Sequence, residues 1–228
     1  MDLMEAMKAR HSVRQYMDKP LEKKAVEELQ AEIDACNQES GLHIQLVRNE
    51  PKAFDGFMAH YGKFSGVTNY IAMIGKKGPD LEEKCGYYGE RLVLKAQQRG
   101  LNTCWAAMTY SKIKTAFRID DGEKLCIVIS IGYGKNQGSA HKVKTADEVV
   151  KGDGAQPEWF RAGVEAALLA PTAMNRESGL HIQLVRNEPK AFDGLMAHYG
   201  KFIGVTNYIA MIGKKGPEWK RRCLLPQQ

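Results

Sequence analysis

The densest group of side chains able to do chemistry in this 228-residue chain is Arg10-His11-Ser12-Val13-Arg14-Gln15-Tyr16. In an extended stretch Arg10, Ser12 and Arg14 project to one side, because side chains alternate with period two. An arginine fork meets phosphate oxygens bidentately and a serine hydroxyl adds a further hydrogen bond. The pattern therefore suits a phosphate and the polar edge of a heterocycle. A basic turn after a helix is also an ordinary solvated feature, and the segment alone does not separate the two. Elsewhere there is no HExxH pair, EF-hand loop or Cys/His cluster to hold a metal, and no GxSxG, Walker or GxGxxG motif. IGYGKNQG (131–138) has close glycines without the fingerprint spacing and reads as a strand end and turn. His43 and His181 sit on the polar face of a strand pattern and read as solvated. Trp105 reads as a core aromatic and Cys104 as a buried small hydrophobe.

These residues need elements to position them. Residues 2–9 form a short amphipathic helix pattern. Pro20 near the first helical position opens a second helix through Ile33. Leu42 to Val47 alternates apolar and polar residues, the mark of a strand with one buried face. Phe54 to Tyr61 reads as helical, and Tyr70 to Ile74 as a buried strand. Leu81 to Gln98 is a long helix stopped by Gly100. Thr103 to Met108 and the apolar run Leu125 to Tyr133 are strands, and Pro157 to Leu169 is a helix before Pro171. Helices and strands alternate without βαβ regularity, which predicts an α+β (mixed α/β) fold.

Composition narrows the class. The net charge is +6 and the pI about 9.0, but the basic residues are mixed with acids, as in KPLEKK and PDLEEK, so nucleic-acid binding is not expected. Five cysteines are scattered without a CxxC pair, the usage of reduced thiols rather than a disulfide framework. No stretch approaches the roughly 18–20 apolar residues that cross a bilayer. The first residues carry no apolar leader core, and the expected location is cytoplasmic.

One feature of the chain is internal. Residues 177–217 repeat residues 39–79 with two differences, Leu195 for Phe57 and Ile203 for Ser65. Such near-identity reads as a recent partial duplication, a recombined reading frame or an assembly artefact rather than a solenoid, whose repeats keep only a pattern. After the copy the chain reads Glu218-Trp219-Lys220-Arg221 where the first copy continues Asp80-Leu81-Glu82-Glu83, a change that a one-base shift of reading frame would produce. The expected organisation is a domain over 1–176, the copy over 177–217 and a tail over 218–228.

Four segments, in order, resemble the nitroreductase family. MEAMKARHSVRQY fits its opening helix and R-[RH]-S-x-R-x-[FY] motif. ERLVLKAQQRGLNTCWAAM resembles its central helix and following strand. LCIVISIGYG resembles its later strand, and His141-Lys142-Val143-Lys144 its basic segment. The resemblance covers about residues 1–175 and implies a nitroreductase-like sheet flanked by helices. It further implies that Arg10, His11, Ser12 and Arg14 hold FMN, with Lys142 and Lys144 near the phosphate. Ala106, Ala107 and Met108 would run along the isoalloxazine, with Asn69 as a further contact. It implies a homodimer, NADH or NADPH as electron donor, and a small acceptor such as a nitroaromatic or quinone. No catalytic side chain is required, because the cofactor carries the chemistry. The family's A-P-S-x-x-N-x-Q-P-W segment is not matched at Ala35-Cys36-Asn37-Gln38-Glu39-Ser40. A closer match, Ala170-Pro171-Thr172-Ala173-Met174-Asn175, runs directly into the copy, in which Leu180 to Val185 reads as a last, edge strand. An FMN-binding module with little turnover, or a basic non-enzymatic binding protein, are the other readings the sequence leaves open.

Overall fold

A computed structural model describes residues 1–140, 145–150 and 156–170, together with the backbone of three strands at 181–185, 208–212 and 223–226. The chain divides into two compact units, residues 1–140 and 141–228.

In the first unit, α1 (Leu3–Ala9) starts on a capping box: the Asp2 carboxylate accepts the Glu5 N–H and the Glu5 carboxylate accepts the Asp2 N–H, each at 2.8 Å. α2 spans Lys23–Ser40. It starts three residues after Pro20 and runs well past Ile33, because Ala25, Leu29, Ile33, Cys36 and Ser40 keep one buried stripe until Gly41 takes the left-handed conformation. The 35–40 segment is therefore helical. β1 is only Gln45–Val47. The expected strand is shortened because the Asn37 side chain takes both backbone groups of Ile44, its amide donating to the carbonyl at 2.9 Å and its oxygen accepting the N–H at 2.7 Å.

Residues 51–61 split in two. Pro51 opens a 3₁₀ turn, Pro51–Phe54, and α3 (Phe57–Tyr61) begins after Gly56. β2 (Asn69–Lys76) is followed by α4 (Leu81–Gln98), as the sequence predicts. Gly100, at φ +71°, lets the chain double back so that the Gly100 and Leu101 N–H groups cap the carbonyls of Gln97 and Ala96. β3 (Asn102–Ala106) ends two residues before Met108, and β4 spans Glu123–Gly132. The four strands form an antiparallel sheet in the order β1-β2-β4-β3.

Strand alternation gives this sheet two buried faces. Ile71, Met73, Ile129 and Ile131 pack under α2 and α4 with Leu29, Ile33, Leu92 and Val93. On the other face Tyr70, Ala72, Ile74, Cys104 and Val128 meet Val13, Tyr16, Phe54, Phe64 and Phe117. The fold is α+β, as expected.

In the second unit, α5 (Ala146–Val149) and α6 (Glu158–Leu168) share a small core of Val149, Phe160 and Val164. β5 (His181–Val185), β6 (Tyr208–Ile212) and β7 (Cys223–Pro226) form a separate antiparallel sheet in that order. The strand expected at Leu180 to Val185 therefore lies at an edge, but of this sheet and not of the larger one.

Candidate functional site

The segment after α1 crosses the end of the four-stranded sheet, where β3 starts, β4 ends and β2 is about to start. Ser12 bridges Thr103 in parallel, Gln15 bridges Ser65, and Tyr16 bridges Gly134. Backbone bonds fix each point: Val13 N–H to Thr103 O at 3.0 Å, Tyr16 N–H to Ser65 O at 2.9 Å, and Ser65 N–H to Arg14 O at 3.0 Å. The crossing needs Gly66, which has φ +68° and where any Cβ would stand 2.4 Å from the Tyr16 carbonyl oxygen. Tyr16 pins the end of the segment. Its buried hydroxyl donates to the Val13 carbonyl at 2.7 Å and shares a hydrogen bond with Ser130 Oγ at 2.8 Å. Burial raises this phenol far above its usual range, so it stays protonated.

The segment does not alternate with period two. Arg10, Val13 and Tyr16 are buried, while Arg14 and Gln15 are exposed. Its pairing with Thr103, Ser65 and Gly134, three separate stretches of chain, bends the segment and removes the simple strand period. Arg10, only 5% exposed, turns inward, and its Nε lies 3.3 Å from Glu90 Oε1 on α4. Arg14 places its guanidinium 6.0 Å from the Phe64 ring centroid. The segment nevertheless runs beside β3, where Ser12 bridges Thr103, the neighbour of Cys104. Burial raises that thiol's pKa, opposed by the Arg14 charge, a hydrogen bond with Ser12 and the Arg10 charge. Two guanidiniums and a hydroxyl within five residues, on a segment tied to the start of β3, form a donor set that fits a phosphate-bearing cofactor. His11 is half-buried beside Gly138.

The other expected residues are placed less uniformly. Ala106 is the buried last residue of β3, whereas Ala107 and Met108 lie beyond the strand, exposed, Met108 to 78%. Asn69 is buried on β2, where its oxygen accepts the Asn49 N–H at 3.2 Å and its amide donates to Thr68 Oγ1 at 3.0 Å. Its polar atoms thus serve the neighbouring loop. Lys142 and Lys144 lie outside the described residues. Two shallow clefts, one lined by Lys112, Lys114, Phe117 and Ile119 and one between Ser40 and Lys84, contain no residue of the 10–14 segment.

His43 departs from the solvated reading. It is half-buried, with Nδ1 2.8 Å from Glu123 Oε2 and 4.0 Å from Asp120 Oδ2. The cause is a turn that folds back over β1, where Gln45 clamps the Arg118 backbone through bonds of 2.7 and 3.0 Å. The three ligand-type atoms lie within 4.8 Å of one another, yet protein donors already use them. Arg118 forks onto Asp120 at 2.8 and 2.9 Å, and the Asp120 N–H donates to Glu123 Oε2 at 2.8 Å. The group closes a turn.

Glu90 is the residue that sequence reading missed. One carboxylate oxygen meets Arg10 and the other accepts the Trp105 indole N–H at 3.1 Å. Burial raises its pKa, against the opposing Arg10 charge and the Trp105 bond. The available signal was an acid next to Gly89 on the buried side of a helix that otherwise presents Cys85, Leu92 and Val93.

Among the described residues no helix is long and apolar enough to cross a membrane. No curated protein matches the chain. Its fold is similar to that of a solved Thermotoga maritima protein described as a putative nitroreductase, with 19% identity and a TM-score of 0.57 over 94% of this chain and 76% of that one. It is also similar to two proteins described as putative NADH dehydrogenase/NAD(P)H nitroreductases. The Parabacteroides distasonis protein is 22% identical, with TM-score 0.52 over 67% of this chain and 98% of that one. The Bacteroides thetaiotaomicron protein is 18% identical, with TM-score 0.51 over 64% and 95%. The family model described as "Putative TM nitroreductase" matches residues 2–178, most of the chain, and the chain belongs to that family.

Proposed function

We propose that this protein is an FMN-dependent oxidoreductase that takes electrons from NADH or NADPH and delivers them to a nitroaromatic, a quinone or a similar small acceptor. The observation that carries this reading is the Arg10–Ser12–Arg14 donor segment held against the start of β3 by the Ser12–Thr103 bridge and the Val13 N–H bond to Thr103 O, in a chain that belongs to a nitroreductase family. FMN, when bound, supplies the two-electron chemistry between donor and acceptor. The chain's own residues bind and orient. Arg14 and Ser12 meet the phosphate and the polar edge of the ring, with Arg10 behind them and His11 alongside. Ala106 contributes backbone only, because its side chain is buried, while Ala107 and Met108 offer an exposed edge. Lys142 and Lys144 are assigned to the phosphate on the family resemblance. Asn69 is left out of the proposed set because its amide is engaged elsewhere.

A homodimer is part of this proposal. Phe57 and Tyr61 on α3 are 82% and 77% exposed, and Met108 is 78% exposed. The stretch following Met108 packs under this region, where Gly62 lies against Thr109 and the Ser111 N–H donates to Ala53 O at 2.7 Å. Exposed large apolar side chains of this kind support a surface that another subunit covers.

The absorption spectrum of the purified protein tests the cofactor. The expected protein is yellow, bleaches with NADH or NADPH, and recovers its colour with a quinone. Steady-state kinetics should give parallel double-reciprocal lines, because donor and acceptor use one flavin face in turn. Colourless protein that takes up no added FMN would refute the reading.

A further inference from the structure

We propose that Glu90 is a positioning residue that ties the two halves of the flavin site together through one carboxylate. This rests on the flavin reading above. Arg10 leaves the C-terminal end of α1 and leads into His11-Ser12-Val13-Arg14. Trp105 belongs to β3 and leads into Ala106–Met108. Glu90, on α4 between them, holds both: Oε1 lies 3.3 Å from Arg10 Nε, and Oε2 accepts the Trp105 indole N–H at 3.1 Å. α4 is shaped for this contact. The Trp105 ring lies directly on Gly89, where a Cβ would stand 2.3 Å from Cη2.

Stability is a poor explanation for this arrangement. The Arg10 side chain is 5% exposed and that of Glu90 27%. Removing two charges from water costs about as much as their attraction returns, and apolar residues of similar volume often do as well. What the pair adds is direction. An arginine carries five N–H donors in a rigid fork, so fixing Nε on Glu90 fixes where the terminal nitrogens point. Fixing the indole at the other oxygen holds β3 in register with that fork. The phosphate-side and ring-side segments then move as one body, the condition under which a few hydrogen bonds select a single cofactor pose.

The test is a double-mutant cycle read as FMN affinity. Glu90→Gln keeps the shape and removes the charge. It is expected to weaken FMN binding about tenfold. In an Arg10→Lys background, which has lost the fork that Glu90 aims, the same change should have almost no further effect. A residue that merely stabilises the fold would weaken binding equally in both backgrounds, and that additive result overturns the proposal. Should Glu90→Gln fail to fold, Trp105→Phe keeps the ion pair and removes only the indole N–H. It is expected to weaken FMN binding a few-fold, again only when Arg10 is present. Wild-type protein that binds FMN while both variants match it overturns this inference alone. Wild-type protein that binds no FMN overturns the flavin reading beneath it.

Discussion

Replacing Tyr16 by phenylalanine tests how the proposed cofactor segment is fixed. Tyr16 is 2% exposed, and its hydroxyl donates to Val13 O at 2.7 Å and pairs with Ser130 Oγ at 2.8 Å. Phenylalanine keeps the ring packed over Gly132 and deletes only the oxygen, so no cavity term of consequence arises. The loss is the hydrogen bonds and the desolvated partners left behind. Ser130 Oγ retains a bond to Cys104 O at 3.3 Å, so the Val13 carbonyl is the main uncompensated group. A buried group left without its partner costs about 1–3 kcal/mol, and we take about 2. At roughly 3 °C per kcal/mol for a unit of this size, the melting temperature should fall by about 6 °C. Circular dichroism melts of apo protein measure this, with Ser130→Ala expected to show a smaller drop. Because Tyr16 N–H and Arg14 O are both tied to Ser65, a looser Tyr16 also frees Arg14, and FMN affinity should fall a few-fold. A melting temperature unchanged within about 1 °C would mean that the hydroxyl does not make these bonds. A lower melting temperature with unchanged FMN affinity would mean that the segment does not position the cofactor.

Glu90 predicts a limb in the pH dependence of stability. Its carboxyl pKa is raised, chiefly by burial, so the folded chain holds that proton more tightly than the unfolded one. Its contribution to stability is full below the unfolded value and is lost as pH rises through the folded one, and Glu90→Gln should flatten that limb in denaturant titrations carried upward from the ordinary carboxylate range. Among Cys36, Cys85, Cys104 and Cys126, a maleimide should label Cys126 first: it alone is not buried, and a hydrogen bond from Cys85 lowers its thiol, while burial pushes Cys36 up to about 11. Peptide mapping that finds Cys36 or Cys104 labelled first would contradict the packing. In hydrogen exchange, Tyr70 to Ile74 should outlast Tyr208 to Ile212, because β2 pairs with eight residues of β4, whereas β6 pairs with only four residues of β7, one of them Pro226 without an N–H. Equal protection would refute that ranking.

The long elements were legible because their patterns are long. The buried stripe of α4 and its Gly100 stop were enough to fix its bounds. Short elements failed where a side chain took over backbone bonds, as Asn37 does at Ile44. The site was half legible. RHSVR could be read as a donor set from residue types alone, but the period-two projection was wrong because the segment pairs with three different stretches of chain, and Arg10 turns inward. An acid beside Gly89 on a mostly apolar helix side was the one local hint of Glu90, whose partners Arg10 and Trp105 only the fold brings to it. His43 was misread for the same reason, since its partner Glu123 lies 80 residues away.

The duplicated segment separates what local sequence decides from what its surroundings decide. In the first copy Gln45, Leu46 and Val47 pair with Ala72, Ile71 and Tyr70; in the second the equivalent Gln183, Leu184 and Val185 pair with Ala210, Ile209 and Tyr208. The register is identical, as it must be if alternation and the connecting sequence set it, because a slip of one residue would turn every side chain to the opposite face. The length differs. His181 joins the second ladder opposite Ile212, whereas the equivalent His43 lies outside β1 and gives its backbone N–H to Ile74 O, while Asn37 holds the next residue. The outer neighbour differs as well: β4 beside β2, and β7, drawn from the tail, beside β6. An open strand edge accepts whatever apolar run can reach it, and Cys223–Pro226 serves without resembling β4 in sequence. The hairpin is thus a portable unit of structure. The copy carries no counterpart of Arg10, Ser12 and Arg14, of Glu90 or of β3.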